Sequence, residues 1–298
     1  MKKRRHHHVW QHYLKPWERA GTVQCSMAGR IFGTDRVNIA VERDFYALPK
    51  WTADDRKLMR AFISPMPEAA RRTHMNFLAA LEFPDRFEGH SEIADDQIAI
   101  FRTNAIEDQY AAIEQCFEPL LTRILTEDLG FYDDARESIA FLAFLCSQQM
   151  RTKGVKERSL ELNRSASLPN LERIWPALAY ILAVNIGGTM YVERRRRTLV
   201  LLNNGHDTPF ITGDQPVVNL LGMAGTVTDR VALYFPVSPR LALVLNDVDN
   251  NLPLSSASLT PTDVRALNAK IAAETHAQVF GNSDAALLQA HEDSPWQA

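Results

Sequence analysis

The chain has 298 residues, of which 46% are hydrophobic and 23% charged, the balance of a globular protein with a sizeable core. Its net charge of -3 gives no overall attraction to nucleic acid or anionic lipid, so any such binding would have to use a local patch. Cys25, Cys116 and Cys146 are far apart, which argues against a disulfide framework or a zinc ribbon and favours the cytoplasm.

The first segment is basic and rich in histidine. We expect no secretory signal here, because no apolar stretch follows the positive charges. Residues 6–19 are predicted to be extended and to enter a turn, which would place His6, His8 and His12 on one face and His7 on the other. Imidazoles on one face suit a metal ion or a phosphate. The alternative is a flexible basic tail.

The middle of the chain, residues 51–192, is predicted to be helical, with a mostly irregular stretch over 83–104. The segment Ile139–Cys146 is apolar all round, which is typical of a helix buried on every side. The run from Ile174 to Gly188 is shorter than the roughly 20 residues that span a membrane. We therefore predict another buried helix and no membrane association.

Strands dominate the two ends of the chain. Loose alternation over 22–45 predicts an early hairpin within an N-terminal β segment, residues 6–50. Further strands are predicted in the β-rich region 193–298. The order of elements does not repeat as βαβ, so the prediction is an α+β fold in one domain. Its helical middle packs with a mixed or antiparallel sheet built from the hairpin and the C-terminal strands.

One carboxylate stands out between two short β-branched runs. Asp214 follows Gly213 and precedes Pro216 in the stretch Phe210–Asn219. At a strand end it could serve as a metal ligand or a general base. It could equally accept backbone hydrogen bonds in a turn. The residues alone leave both possibilities open.

Two groups of arginines are further candidates. Gln148, Gln149 and Arg151 close the apolar helix, and Arg151 could hold a phosphate or pair internally with Asp214 or Glu42. Arg194 and Arg195 begin a run of four arginines that could attract nucleic acid. The same run could instead favour the negative end of a helix dipole.

Four short motifs resemble the family catalogued as the domain of unknown function numbered 4238. They are His7-His8-Val9-Trp10-Gln11-His12-Tyr13-Leu14, Asp44-Phe45-Tyr46, Gln148-Gln149-Met150-Arg151-Thr152, and Phe210-Ile211-Thr212-Gly213-Asp214-Gln215-Pro216-Val217 with Phe235-Pro236-Val237-Ser238-Pro239. Trp10 stands where the family has proline. The resemblance covers most of the chain and implies a fold rather than an activity. It favours an ordered site at the N-terminus.

These observations give two hypotheses about function. In the first, His7, His8, Gln11, Arg151 and Asp214 form a catalytic site with binding contributions from Tyr13, Gln149, Arg194 and Arg195. His8 and Asp214 would hold a divalent metal, in a hydrolase or nuclease acting on nucleic acid or a phosphorylated small molecule. In the second, the protein is a non-catalytic binding or interaction protein, and the same polar groups form a structural network.

Overall fold

The computed structural model describes residues 1–164, 168, 170–222, 230–250 and 252–293. Its helices, in chain order, are α1 Ala53–Ile63, α2 Glu68–Glu82, α3 Glu92–Leu125, α4 Ala135–Met150, α5 Lys153–Arg164, α6 Leu171–Val192, α7 Pro261–Glu274 and α8 Asp284–Asp293. Its strands are β1 Arg5–His7, β2 Val23–Met27, β3 Arg30–Thr34, β4 Val41–Arg43, β5 Arg197–Asn203, β6 Thr212–Gly213, β7 Val218–Asn219, β8 Ala232–Pro236, β9 Leu241–Asp247 and β10 Gln278–Gly281.

Local sequence signals explain where several helices begin. Thr52 and Thr260 each form a reciprocal capping box with an aspartate three residues later, at the starts of α1 and α7. Ser91 caps α3, so this helix starts well before residue 105, and the predicted irregular stretch is wrong from residue 92 onward. The predicted start of α6 at Leu168-Pro169 includes Pro169, which lies outside the described residues.

The sheets are antiparallel and join the two ends of the chain. The early hairpin of β2 and β3 pairs with β10, and β10 pairs with β6. The second sheet has the order β5-β9-β8-β7, and β1 pairs with β4 in a two-stranded ribbon. These pairings confirm the predicted α+β class and the union of the early hairpin with C-terminal strands. The assignment to one domain stays a prediction.

The buried apolar residues form two clusters that meet along α3. The larger cluster fills the space between the sheets, α4 and the C-terminal half of α3, and it includes Tyr13 and Phe117. The smaller one lies among α1, α2 and α6 and includes Tyr110. Because α3 is 34 residues long, it contributes to both clusters. Some of its half-buried polar side chains lie beside the N-terminal segment.

Helix α6 is long and apolar enough to cross a membrane by length and composition. Its most apolar 18-residue window is 56% buried inside the protein, which also fits the core helix of a globular fold. Pro176 lies within the first two turns without interrupting it. The predictions of a cytoplasmic location and of no membrane association stay predictions.

Tyr13 joins the N-terminal segment to both sheets. Its fully buried hydroxyl donates to the Pro236 carbonyl and accepts from the Thr212 hydroxyl, both at 2.6 Å. Its ring stacks on Phe235 with centroids 5.0 Å apart. Burial raises the pKa of this phenol, which therefore stays protonated. Tyr13 thus belongs to the core, and it is not placed to contact a ligand as predicted.

We expect Tyr13→Phe to lower the free energy of unfolding by about 1–3 kcal/mol, because the Pro236 carbonyl and the Thr212 hydroxyl lose a buried partner. Urea denaturation measures this change. Tyr191→Phe, at a half-buried tyrosine of α6, is the control and should change stability by less than about 0.5 kcal/mol. Equal effects of the two substitutions would contradict the role assigned to Tyr13.

Candidate active site

The N-terminal segment is fixed rather than flexible. Strand β1 pairs residue for residue with β4, and the fully buried His6 ring accepts a hydrogen bond from the Tyr46 backbone at Nδ1. Since Nδ1 is an acceptor, Nε2 carries the proton and donates to the Lys3 carbonyl at 2.6 Å. Burial lowers the pKa of His6, which is consistent with a neutral, structural imidazole.

His8 is also a core residue. Its ring lies 5.5 Å from that of Phe45, and its Nδ1 is buried with no hydrogen-bond partner. Burial, with smaller contributions from the Arg151 and Lys153 charges, lowers the pKa of His8 to about 3. His6 and His8 are therefore interior groups, whereas His12 lies in a 3-10 turn over 12–17 and faces the surface. The expected single face of imidazoles does not form.

Asp214 is held by backbone amides at the end of α7. Its Oδ1 accepts from the His276 amide at 2.8 Å, and its Oδ2 accepts from the Ala277 and Gln278 amides at 2.8 and 3.0 Å. Burial raises its pKa, and the three amides act in the opposite direction. A Cβ on the preceding Gly213 would collide with the Thr275 side chain, so the glycine permits this close approach. Asp214 is therefore a structural acceptor, but the amides it binds belong to a distant segment and not to the local turn expected from the sequence.

The predicted metal pair of His8 and Asp214 does not fit a divalent cation. Both oxygens of Asp214 already accept hydrogen bonds from amides, which are poor neighbours for a positive ion. Within the described ranges of the chain, no group of three or more His, Cys, Asp and Glu side chains is arranged to hold a metal ion. We therefore derive no step through a metal.

Arg151 lies at the centre of the site but is not open to a ligand. Its side chain is 2% exposed, and its Nη2 lies 2.6 Å from the Glu114 carboxylate and 3.1 Å from Gln148 Oε1. The guanidinium also lies over the Tyr110 ring, with its carbon 5.1 Å from the centroid. Neither of the predicted internal partners contacts it, since Asp214 binds amides and Glu42 pairs with Lys153.

Residues from the motifs that resemble the family form a buried polar network at the end of α4. Gln148, rather than Gln149, makes the contacts: its Nε2 donates to the His8 carbonyl at 2.9 Å, and its Oε1 accepts from the Trp10 amide at 3.3 Å. A proline in place of Trp10 would have no amide to donate. Gln149 contributes its carbonyl, which accepts from Gln215. The motifs thus fix the N-terminal segment against α4.

A polar cleft of about 340 Å³ opens beside this network. Its lining comes from the N-terminal segment, the loop after β3 and one face of α3: His7, Trp10, Gln11, His12, Arg36, Glu107 and Glu114. The ring of Trp10 stacks on that of His12 with centroids 5.1 Å apart. His7 and Gln11 are therefore brought together as predicted, whereas His8, Asp214 and Tyr13 lie in the interior and Arg151 lies behind Glu114.

Two carboxylates of α3 complete the cleft and were missed in the sequence. Glu107 and Glu114 are seven residues apart, which puts them on one face of the helix. Burial raises the pKa of Glu107 to about 7, while the Arg151 charge opposes the rise and the Glu114 charge adds to it. No local sequence signal marks these two residues, because their burial depends on the N-terminal segment.

His7 and Gln11 form the facing wall of the cleft. His7 Nε2 lies 3.2 Å from the Val37 carbonyl. The Gln11 amide nitrogen lies 2.7 Å from His7 Nε2 and 3.0 Å from His7 Nδ1, so it packs against the edge of the ring between the two nitrogens. Burial, helped by the Arg5 and Arg151 charges, lowers the pKa of His7. The cleft therefore combines a neutral imidazole with a carboxyl group that titrates near neutrality.

Arg194 and Arg195 lie elsewhere. They follow the C-terminus of α6, where Arg194 Nη1 lies 3.5 Å from the Tyr191 carbonyl, and they line a different cavity beside β5. They cannot act together with His7 and Gln11 on one small ligand.

Fold and site together define an α+β protein with a polar cleft between its N-terminal segment and its longest described helix. The sequence matches the model of the family described as "Protein of unknown function (DUF4238)" over residues 5–285, and the chain belongs to this family. No curated protein and no solved structure matches the chain.

The role of Asp214 can be tested by stability. We expect Asp214→Asn to lower the free energy of unfolding by about 2–3 kcal/mol, because the amide nitrogen of asparagine would face backbone donors. Chemical denaturation measures the change. Asp249→Asn is the control, since this side chain is 82% exposed. An unchanged stability in Asp214→Asn would restore a functional role for this carboxylate.

The raised pKa of Glu107 makes stability depend on pH. The folded state holds the Glu107 proton more tightly than the unfolded state, so this contribution to stability is complete below about pH 4.5 and is lost as the pH rises to about 7. We expect the stability of Glu107→Gln, measured relative to the parent protein, to rise by up to about 3 kcal/mol between pH 4 and pH 8. The reason is that the variant has no carboxyl group to ionise at this position. Urea denaturation at both pH values checks this, and a pH-independent difference would refute it.

Proposed function

We propose that the protein is a hydrolase of phosphoesters whose chemical step depends on proton transfer by Glu107 in the polar cleft. The observation that carries the proposal is geometric: two carboxylates on one face of α3 oppose the His7 and Gln11 wall across an open cleft. Arg36 lies at the same cleft and supplies a cation for the substrate, although it shares its charge with Glu18.

The charge balance of the cleft supports this assignment. Glu114 is paired with Arg151, and Arg36 is paired with Glu18. Glu107 forms no such ion pair within the described residues, and it holds its proton near neutral pH because it is partly buried. A protonated carboxyl group with a pKa close to 7 is suited to general acid catalysis at physiological pH.

In this reaction water attacks phosphorus, a new P–O bond forms, and the ester P–O bond breaks. The Glu107 proton passes to the leaving ester oxygen, and the neutral His7 imidazole accepts a proton from the attacking water. The Gln11 amide nitrogen contacts both ring nitrogens of His7 in the free protein, so the arriving water must displace it. The stacked rings of Trp10 and His12 offer a flat surface to an aromatic group of the substrate.

The second candidate is a non-catalytic binding protein, and a specific observation favours it. Arg151, Asp214 and His8 are satisfied or enclosed inside the protein, as expected for a structural network. In this case the cleft would bind a polar ligand without turning it over. The two candidates differ at Glu107, whose proton matters for turnover and not for binding.

The test is hydrolysis of diphenyl phosphate and phenyl phosphate between pH 5 and 9, because the phenol oxygen of these esters is a poor leaving group unless it receives a proton. We expect turnover to decline above about pH 7, as Glu107 loses its proton, and Glu107→Gln to reduce it at least about 100-fold. Asp108→Asn is the matched control, because this neighbour pairs with Lys3 and does not line the cleft. No turnover by the parent protein, or full activity in Glu107→Gln, would overturn the proposal and leave the binding protein.

A further inference from the structure

A second cavity lies on another side of the molecule, beside the start of β5. It measures about 680 Å³, within the range of cavities that hold small molecules. The turn between α3 and α4, the residues after α6 and the first strand of the second sheet all contribute to its wall. It shares no residue with the cleft that holds Glu107.

The chemistry of this cavity is cationic. Three arginines line it, Arg194, Arg195 and Arg197. Arg197 is already balanced, since its guanidinium lies 3.2 Å from Glu193 and 2.8 Å from Asp247. Arg194 and Arg195 have no carboxylate partner among the described residues, so two positive charges remain for a ligand. Arg194 is also pre-positioned, because its guanidinium lies 4.5 Å from the centre of the Tyr191 ring.

Tyr132 also lines the wall of this cavity. Its ring is fixed by an edge-to-face contact with Phe141, with centroids 6.0 Å apart. Its hydroxyl oxygen is buried away from the cavity, so Tyr132 contributes the surface of its ring.

We propose that this cavity binds a small phosphate ester carrying hydroxyl groups, held by Arg194 and Arg195. Guanidinium groups match the oxygens of a phosphate in charge and geometry. Asp133, the carboxylate at the same wall, disfavours a bare polyanion but accepts a hydrogen bond from a hydroxyl group of the ligand. Leu129 and Leu199 give the cavity an apolar floor for the rest of the molecule.

Nucleic acid fits the same arginines less well than a small phosphate ester does. A polymer backbone needs a row of cations that follows its phosphates across the surface. Here Arg194 and Arg195 line one open cavity, and Arg196, which does not line it, lies 3.8 Å from Asp249. The uncompensated charge is thus concentrated at one cavity rather than spread along a stripe.

The experiment is isothermal titration of the full chain with AMP, glucose 6-phosphate, inorganic phosphate, adenosine and a 20-nucleotide RNA at constant ionic strength. We expect at least one phosphate ester to bind with saturation and more tightly than inorganic phosphate, and adenosine not to bind. Arg194→Gln and Arg195→Gln should each weaken that binding about tenfold.

A control variant separates this site from general charge. Arg196→Gln removes the same charge outside the cavity and should leave binding unchanged. Equal losses in Arg196→Gln and Arg195→Gln, binding of RNA alone, or no saturation by any small phosphate would overturn the proposal. Unchanged binding in both Arg194→Gln and Arg195→Gln would place the phosphate ester outside this cavity and would overturn it as well.

Discussion

The burial of one guanidinium governs the arrangement around the candidate active site. Arg151 is 2% exposed, and an arginine in the interior keeps its charge, so the surrounding chain must neutralise it. Glu114 supplies the opposite charge at 2.6 Å, Gln148 a hydrogen bond and Tyr110 the face of its ring. Since these partners come from α3 and α4, the cation holds the two helices in register beside the N-terminal segment.

The same cation sets the electrostatics of the site. It lowers the pKa of His7 and His8 and opposes the rise in the pKa of Glu107. Arg151 is paired with Glu114. Glu107 is therefore the carboxyl group of the cleft whose pKa is raised by partial burial. A structural network and a reactive cleft are therefore compatible in this protein. The network of Arg151, Glu114 and Gln148 is buried behind the cleft and determines which side chains face the cleft.

The sequence predicted the architecture better than the site. Periodicity and capping residues located most helices and strands, since these signals are local, and the pairing of the early hairpin with C-terminal strands followed from the fold class. The first part of α3, residues 92–104, was missed because its surface is charged and its cap at Ser91 follows a proline- and glycine-containing stretch. Helix α5 lies in the region predicted to be helical, but its start and end were not located, because charged residues dominate this stretch.

The site was predicted in part, for a clear physical reason. His7 and Gln11 do meet at the cleft, but whether a polar side chain faces solvent or the core depends on partners far along the chain. Asp214 is satisfied by amides more than 60 residues away, and Tyr13 by groups about 200 residues away. Glu107 and Glu114 resemble ordinary surface acids in the sequence, because nothing local shows that the N-terminal segment lies over them.

The most direct measurement of this account is the carboxyl pKa of Glu107, followed by the ¹³C chemical shift of glutamate side chains across a pH titration. The signal is assigned by its absence in Glu107→Gln. A midpoint near 7 would agree with partial burial beside the Arg151–Glu114 pair and with a proton available for chemistry at neutral pH. A midpoint near 4.5, the ordinary value for glutamate, would show that the cleft is solvated and would contradict the proposed role of Glu107.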